Sequence, residues 1–134
     1  MNAYEDVSRK FSLKNINDAE PDICDRSLRY HTQHRKGNIL RDTYKLIEPG
    51  KSPSRKLTLG YTLIYPECSN TGHSHNDLEE VYFILQGKGV MQIDDVKFPV
   101  KEGDAFYIPP NAYHITYNTG IIPLVILWVT GKID

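Results

Sequence analysis

Residues 72–87 read GHSHNDLEEVYFILQG, and this stretch combines a polar cluster with the pattern of a β-strand. Positions 81–85 form a run of β-branched, aromatic and aliphatic side chains that ends before Gly87. Such a run between turn residues predicts a strand. His73 and His75 stand two residues apart, and in extended backbone such residues share one face. The stretch therefore predicts a strand with two imidazoles at its entrance.

Short β-rich segments continue on both sides of this strand. In the segment 56–65, Leu57, Leu59, Tyr61 and Leu63 alternate with other residues, and Pro66 ends the pattern. The remaining predicted strands are residues 27–31, 38–46, 90–93, 96–100, 105–108, 112–117 and 124–130. Strands at roughly ten-residue spacing, separated by glycine and proline, are typical of a sandwich or barrel. We therefore predict an all-β fold.

The first residues of the chain differ in texture from the rest. Residues 1–25 are polar and lack a clear period, and residues 14–22 have the composition of a loop or a weak helical turn. We interpret residues 1–25 as an N-terminal arm and residues 26–134 as a single β-barrel domain. At 134 residues the chain has the size of one domain, which needs no disulfide or structural metal simply to fold.

Composition argues against several kinds of partner. The net charge is −1, with 16 basic and 17 acidic residues, so there is no general attraction to nucleic acid or to an anionic membrane. The apolar run 121–129 is interrupted by Pro123 and is too short to span a bilayer. Cys24 and Cys68 form no C-x-x-C pair, and the N-terminus shows no signal-peptide pattern. We expect a cytoplasmic protein without nucleic-acid or membrane partners.

The residues that carry chemistry lie in two clusters, 72–80 and 109–114. His73 and His75 can aim at one point, a carboxylate five residues later can add a negative ligand, and a histidine from another strand can complete the set. A mixed nitrogen and oxygen set suits first-row divalent metals better than calcium or magnesium. It contains no thiolate, unlike structural cysteine-type zinc sites. An isolated H-x-H is more often accidental, so the surrounding spacing decides the matter.

That spacing resembles the paired motifs of the cupin superfamily. The first motif, H-x-H-x3-4-E-x6-G, matches at His73, His75, Glu80 and Gly87. The second motif, G-x5-P-x-G-x2-H-x3-N, matches at Gly103, Pro109, His114 and Asn118. The interval between the two motifs resembles that of small, often microbial cupins. The sequence departs from the motifs at two glycine positions, which are occupied by Glu67 and Asn111.

The resemblance implies a cupin-type double-stranded β-helix, or jelly-roll barrel, that holds one divalent transition metal ion. Iron, manganese, zinc and nickel all remain open as the metal. The ligands implied are His73, His75, Glu80 and His114. Glu79 is the alternative to Glu80, because the family allows three or four residues after the second histidine. Glu80 is preferred, since it keeps the six-residue interval to Gly87.

Tyr82 and Glu79 are the candidates for catalytic groups beside the metal. If Glu80 points into the barrel, period two turns Tyr82 inward as well. Tyr61 and Tyr107 are weaker candidates for polar groups near the site. Val81, Phe83 and Leu85 would then lie on the outer face, so this strand is apolar on both faces. We therefore expect the outer face to be covered, and we predict a homodimer.

Residues 31–36 form a basic segment with two possible interpretations. His31 and His34 precede Arg35 and Lys36, and the favoured interpretation is a solvated basic turn. If the substrate carries a phosphate or carboxylate, this segment is the alternative place for an anion clamp.

The expected function is that of a metalloenzyme that acts on a small polar metabolite. Thr71-Gly72-His73 with Glu80 and Tyr82 is similar to cupin-type phosphosugar isomerases, which are longer and have a wider gap before the glutamate. This favours an isomerase or epimerase that acts on a sugar or sugar phosphate. An iron- or manganese-dependent dioxygenase or decarboxylase, and a non-catalytic ligand-binding module, remain as alternatives.

Overall fold

The computed structural model describes residues 11–22 and 40–133 of the chain. These residues form one 3-10 turn and eight β-strands. The turn is Ile16–Asp18, and the strands are β1 (Arg41–Ile47), β2 (Leu57–Ile64), β3 (Leu78–Gln86), β4 (Lys88–Ile93), β5 (Val96–Lys101), β6 (Ala105–Ile108), β7 (His114–Asn118) and β8 (Leu124–Lys132). The strand expected at 27–31 and the boundary expected at residue 25 lie outside the described residues.

The strands form two antiparallel sheets. One sheet has five strands in the order β1-β2-β8-β3-β6, and the other has three strands in the order β5-β4-β7. The apolar core contains Ile84 and Ile126 from the large sheet with Met91 and Val100 from the small one. The predicted all-β barrel is thus confirmed. No helix of the described residues is long and apolar enough to cross a membrane.

Strand β3 begins three residues earlier than its apolar pattern predicts. Leu78, Glu79 and Glu80 continue its pairing with β8, opposite Lys132, Gly131 and Thr130. Backbone hydrogen bonds of a ladder do not require apolar side chains, so this polar segment still pairs. The extension places Glu80 inside regular strand, with its side chain direction set by the pleat.

The alternation in β2 is inverted relative to an ordinary half-buried strand. Its leucine positions are partly or fully exposed, whereas Gly60, Thr62 and Ile64 are buried. The inner face of the large sheet therefore changes along its length, with isoleucine at one end and threonine toward the other. One end of the barrel interior is apolar core, and the other is free to form a polar cavity.

Four turn positions that correspond to motif glycines all adopt positive φ. The angles are 65° at Glu67, 87° at Gly87, 89° at Gly103 and 70° at Asn111. Left-handed backbone costs an L-residue roughly 1–2 kcal/mol, which glycine avoids and asparagine tolerates better than most. The two departures from the motif therefore change the side chain and keep the backbone conformation.

Gly60 allows the single tryptophan of the chain to lie against the backbone of β2. A Cβ at this position would stand 1.9 Å from the Trp128 ring. We predict that Gly60→Ala lowers the free energy of unfolding by about 1–3 kcal/mol, the usual range for overpacking, and changes Trp128 fluorescence. Gly131→Ala is the control, because a Cβ there meets nothing closer than 3.5 Å. Equal stability of the two variants in urea unfolding would contradict this packing argument.

Candidate metal centre

The structure brings all four expected ligands together. One ligand atom from each of His73, His75, Glu80 and His114 can be chosen so that all four atoms lie within 4.8 Å of one another. Glu80 and His114 are buried, and the two other histidines are half-buried. The cluster is therefore anchored in the barrel wall on one side and open on the other.

Backbone pairing across the barrel fixes the positions of two histidines. The His73 amide donates to the His114 carbonyl at 3.1 Å, and the His114 amide donates to the His73 carbonyl at 2.9 Å. Their ring centroids are 4.3 Å apart as a result. Glu80 reaches the same place from β3, where it is paired on both sides, with Ile108 and with Thr130.

Hydrogen bonds to backbone carbonyls set the orientation of two imidazoles. Nδ1 of His73 lies 2.7 Å from the Thr71 carbonyl, and Nδ1 of His114 lies 3.0 Å from the Ala112 carbonyl. A carbonyl oxygen can only accept, so each Nδ1 carries the proton. Each Nε2 then offers its lone pair, as in histidines that bind metals with the other ring nitrogen held by an outer partner.

The buried pair in the cluster is incompletely satisfied. Nε2 of His114 approaches Oε2 of Glu80 to 2.8 Å. Both atoms are buried, and neither has a hydrogen-bond partner outside this pair. Unsatisfied buried polar atoms are costly. A cation bound between them would satisfy both, so these residues fit a divalent transition metal ion with three nitrogen ligands and one oxygen ligand.

The protonation of the histidines follows from burial and from Glu80. Burial lowers the pKa of His73, and the neighbouring His114 and His75 lower it further. Burial also acts to lower the pKa of His114, but the Glu80 carboxylate and the Ala112 carbonyl outweigh it, so that its pKa is raised. Neutral histidine is the form that binds metal, and metal binding displaces any proton from these nitrogens.

Tyr82 lies inside the barrel beside the cluster. It is buried, and its ring centroid is 6.1 Å from that of His114. Burial raises the pKa of Tyr82, and the nearby Glu80 charge raises it further. The phenol therefore stays protonated at neutral pH and can donate a hydrogen bond into the cavity. Tyr82 thus points inward, as the alternation predicts, and Ile84 is buried on the same face.

Glu79 and Tyr107, two other sequence candidates, lie on the outer face of the sheet. Both are exposed, and the Tyr107 hydroxyl donates to Oε1 of Glu79 at 2.9 Å. The pleat places Glu79 opposite in direction to Glu80, which argues against the acid or base role expected for it. Tyr61 also lies outside the cavity, with its ring 6.2 Å from that of Tyr44.

A cavity of about 480 Å³ opens beside the cluster. Besides cluster residues and Tyr82, its wall includes Asp22, Arg41, Thr43, Lys45, Thr58, Thr62, Asn70, Thr71, Leu78, Trp128 and Thr130. The sequence motifs contain few of these positions. Their common signal is alternation along β1, β2 and β8, which shows shared faces but not which face is inside.

An antiparallel double-sheet barrel with a histidine and carboxylate cluster at one end of its interior defines a small jelly-roll protein with a candidate metal centre. The family model of the cupin domain matches residues 60–130, which is more than half of the chain. The chain therefore belongs to the cupin family.

Known proteins similar to this chain come from several microbes. An uncharacterized protein of Methanocaldococcus jannaschii is 38% identical over 91 residues, covering 68% of this chain and 70% of that protein. The glucose-6-phosphate isomerase of Thermococcus litoralis is 34% identical over 84 residues, covering 53% of this chain but only 44% of the isomerase. A structure from Thermotoga maritima, described as a predicted oxalate decarboxylase, has a TM-score of 0.74 at 21% identity and covers 90% of this chain and 99% of that one. This last likeness shows the fold.

The neighbouring carboxylates provide a matched test of the ligand set. We predict that Glu80→Gln weakens binding of a divalent metal ion by more than about 100-fold, because a buried anionic ligand is lost. Glu79→Gln should weaken it by less than about tenfold, the lower end of effects from residues around the ligands. Titration with Mn, Fe, Ni and Zn salts after chelation measures both affinities. If the two substitutions exchange these outcomes, the assignment of the carboxylate ligand is wrong.

Proposed function

We propose that this cupin is a metal-dependent enzyme that isomerises or epimerises a small polar metabolite of the sugar or sugar phosphate class. The observation that carries the proposal is the cluster of three histidines and Glu80, in which the buried atoms His114 Nε2 and Glu80 Oε2 have no partner but each other, beside a cavity of about 480 Å³. A cavity of this size lies within the range of small-molecule sites.

The chemistry of the cavity wall supports a polyol substrate. Four threonines line the space, Thr43, Thr58, Thr62 and Thr130, and the hydroxyls of Thr43 and Thr62 lie 3.0 Å apart. Their side chains can donate and accept hydrogen bonds, as a sugar's hydroxyl groups require. Trp128 adds a large apolar surface to the same wall, and its Nε1 donates to Thr62 at 2.9 Å. The indole is therefore held in place against one side of the cavity.

The likeness to glucose-6-phosphate isomerases supports the reaction type. The regions that match are 33% to 38% identical to several of these enzymes from Pyrococcus and Thermococcus. The chain spans less than half of the length of these enzymes, so their activity comes to it only as a proposal.

The residues divide into a set that would hold the ion and a set that contacts substrate. His73, His75, Glu80 and His114 would bind the metal, which would polarise a carbonyl or hydroxyl oxygen of the substrate. Tyr82, protonated and buried, donates a hydrogen bond to a substrate oxygen and holds a proton for it.

We predict that the protein, loaded with iron, manganese, nickel or zinc, interconverts aldose and ketose forms of a sugar or sugar phosphate. Tyr82→Phe should lower kcat about 100-fold, within the usual contribution of general acid–base groups. Tyr107→Phe, on the outer face, should leave kcat within about twofold. The assay is conversion of a panel of sugars and sugar phosphates with oxygen uptake measured in parallel. Oxygen consumption without isomerisation would assign the protein to the oxygenases instead, and neither activity would assign it to binding modules.

We also propose that the protein is a homodimer. On the outer face of the large sheet, Val81, Phe83, Leu85 and Tyr107 are each 41% to 50% exposed. We call these four residues the outer patch. Val81 lies opposite Tyr107 in the ladder, so the patch is continuous between β3 and the edge strand β6. Contiguous exposed apolar surface of this kind is typical of an interface.

We predict a dimer in analytical ultracentrifugation at micromolar concentration, converted toward monomer by Phe83→Ser. The serine removes apolar area at the centre of the outer patch. Val96→Ser is the control, because Val96 is 58% exposed but belongs to the small sheet. A monomeric wild-type protein, or equal behaviour of the two variants, would contradict the proposal.

A further inference from the structure

Strand β1 places a row of side chains in the cavity wall. Arg41, Thr43 and Lys45 alternate along the strand and line the cavity together. Among the described strands β1 is paired with β2, where Arg41 lies opposite Ile64. The row therefore belongs to the cavity and lies outside the four-residue metal cluster.

The guanidinium of Arg41 is not fully used within the described part of the chain. Its Nη1 atom is buried and has no hydrogen-bond partner. The hydroxyl oxygen of Thr71 is a second buried atom without a partner, and Thr71 also lines the cavity. A buried donor without a partner costs free energy, most of all when it carries charge. Two such atoms in one wall point to a ligand that supplies acceptors.

The other charges of the cavity are already matched. Lys45 lies 3.7 Å from Asp22 through its Nζ and Oδ2 atoms, and both are partly exposed at the cavity mouth. Glu80 is committed to the histidine cluster. Arg41 thus remains the cation of the wall without a near carboxylate among the ion pairs of the described residues.

We infer that Arg41, with the hydroxyl of Thr71, binds an anionic group of the ligand, a phosphate or a carboxylate. Guanidinium presents several donors in a planar fork that matches both groups. The inference rests on the proposed function for its substrate, since it adds an anionic group to the polar metabolite, but the anion site itself consists of the chain's own residues and does not need the metal.

The position of Arg41 relates this site to the proposed chemistry. The charge of Arg41 is near enough to Tyr82 to oppose the rise in its pKa. An anion held by Arg41 would therefore place the rest of the molecule in the same cavity as Tyr82. The basic segment at 31–36, the alternative place for an anion clamp, lies outside the described residues.

The test is anion binding by the full chain after chelation, with Trp128 fluorescence and calorimetry as independent readouts. The ligands are inorganic phosphate, malonate, glucose 6-phosphate and, as a neutral control, glucose. Wild-type protein should bind the three anions saturably, and Arg41→Gln should weaken them at least about tenfold, as expected when a hydrogen bond to a charged group is lost. Preference for phosphate over malonate, or the reverse, identifies the anionic group.

Matched variants separate the anion site from general charge and from folding. Arg55→Gln removes the same charge at an exposed position that does not line the cavity, and it should change affinity by less than about twofold. Thr71→Val keeps the shape and should weaken anion binding several-fold, so it tests the site independently if Arg41→Gln unfolds. Absence of anion binding in wild-type protein, or equal loss in the arginine variants, overturns the inference. Anion binding without sugar phosphate turnover would leave the site standing and reject only the isomerase.

Discussion

The two backbone hydrogen bonds between His73 and His114 are the constraint on which the site depends. They join the segment before β3 to the start of β7, and those strands belong to different sheets. Through them, residues 41 positions apart in the chain place their imidazoles within one cluster. Glu80 needs no such bridge, because regular pairing on both sides of β3 already directs its side chain inward.

The barrel interior has an apolar end and a polar end, and this division affects both faces of the large sheet. Isoleucine and leucine pack the closed end, while threonine and the charged groups of β1 occupy the cavity end. In β3, Tyr82 and Ile84 fill the interior, whereas Val81, Phe83 and Leu85 are exposed on the outer face. The large sheet therefore carries apolar side chains on both faces, and those of its outer face are exposed to water.

The paired motifs specify the residues of the site more completely than they specify the rest of the barrel. Positive φ at Glu67 and Asn111 shows that the motif glycines record a backbone conformation, which other residues can adopt at some cost. Asn118, the last motif residue, donates to the Ile64 and Ile122 carbonyls and accepts from the Gly120 amide. The bonds to Ile122 and Gly120 are local requirements of a turn, so they leave a readable pattern in the sequence, whereas the bond to Ile64 joins residues 54 positions apart.

The sequence by itself predicted the all-β class, the approximate positions of the eight described strands and the four residues of the candidate metal centre, because period two and motif spacing are local properties of the chain. Only the tertiary structure decided which face of each strand is inside. In the structure Glu79 and Tyr107 lie on the outer face, whereas Arg41 and Trp128 line the cavity. Alternation cannot distinguish the two faces when both are partly apolar, since inward and outward directions are assigned by packing between sheets that are distant in sequence.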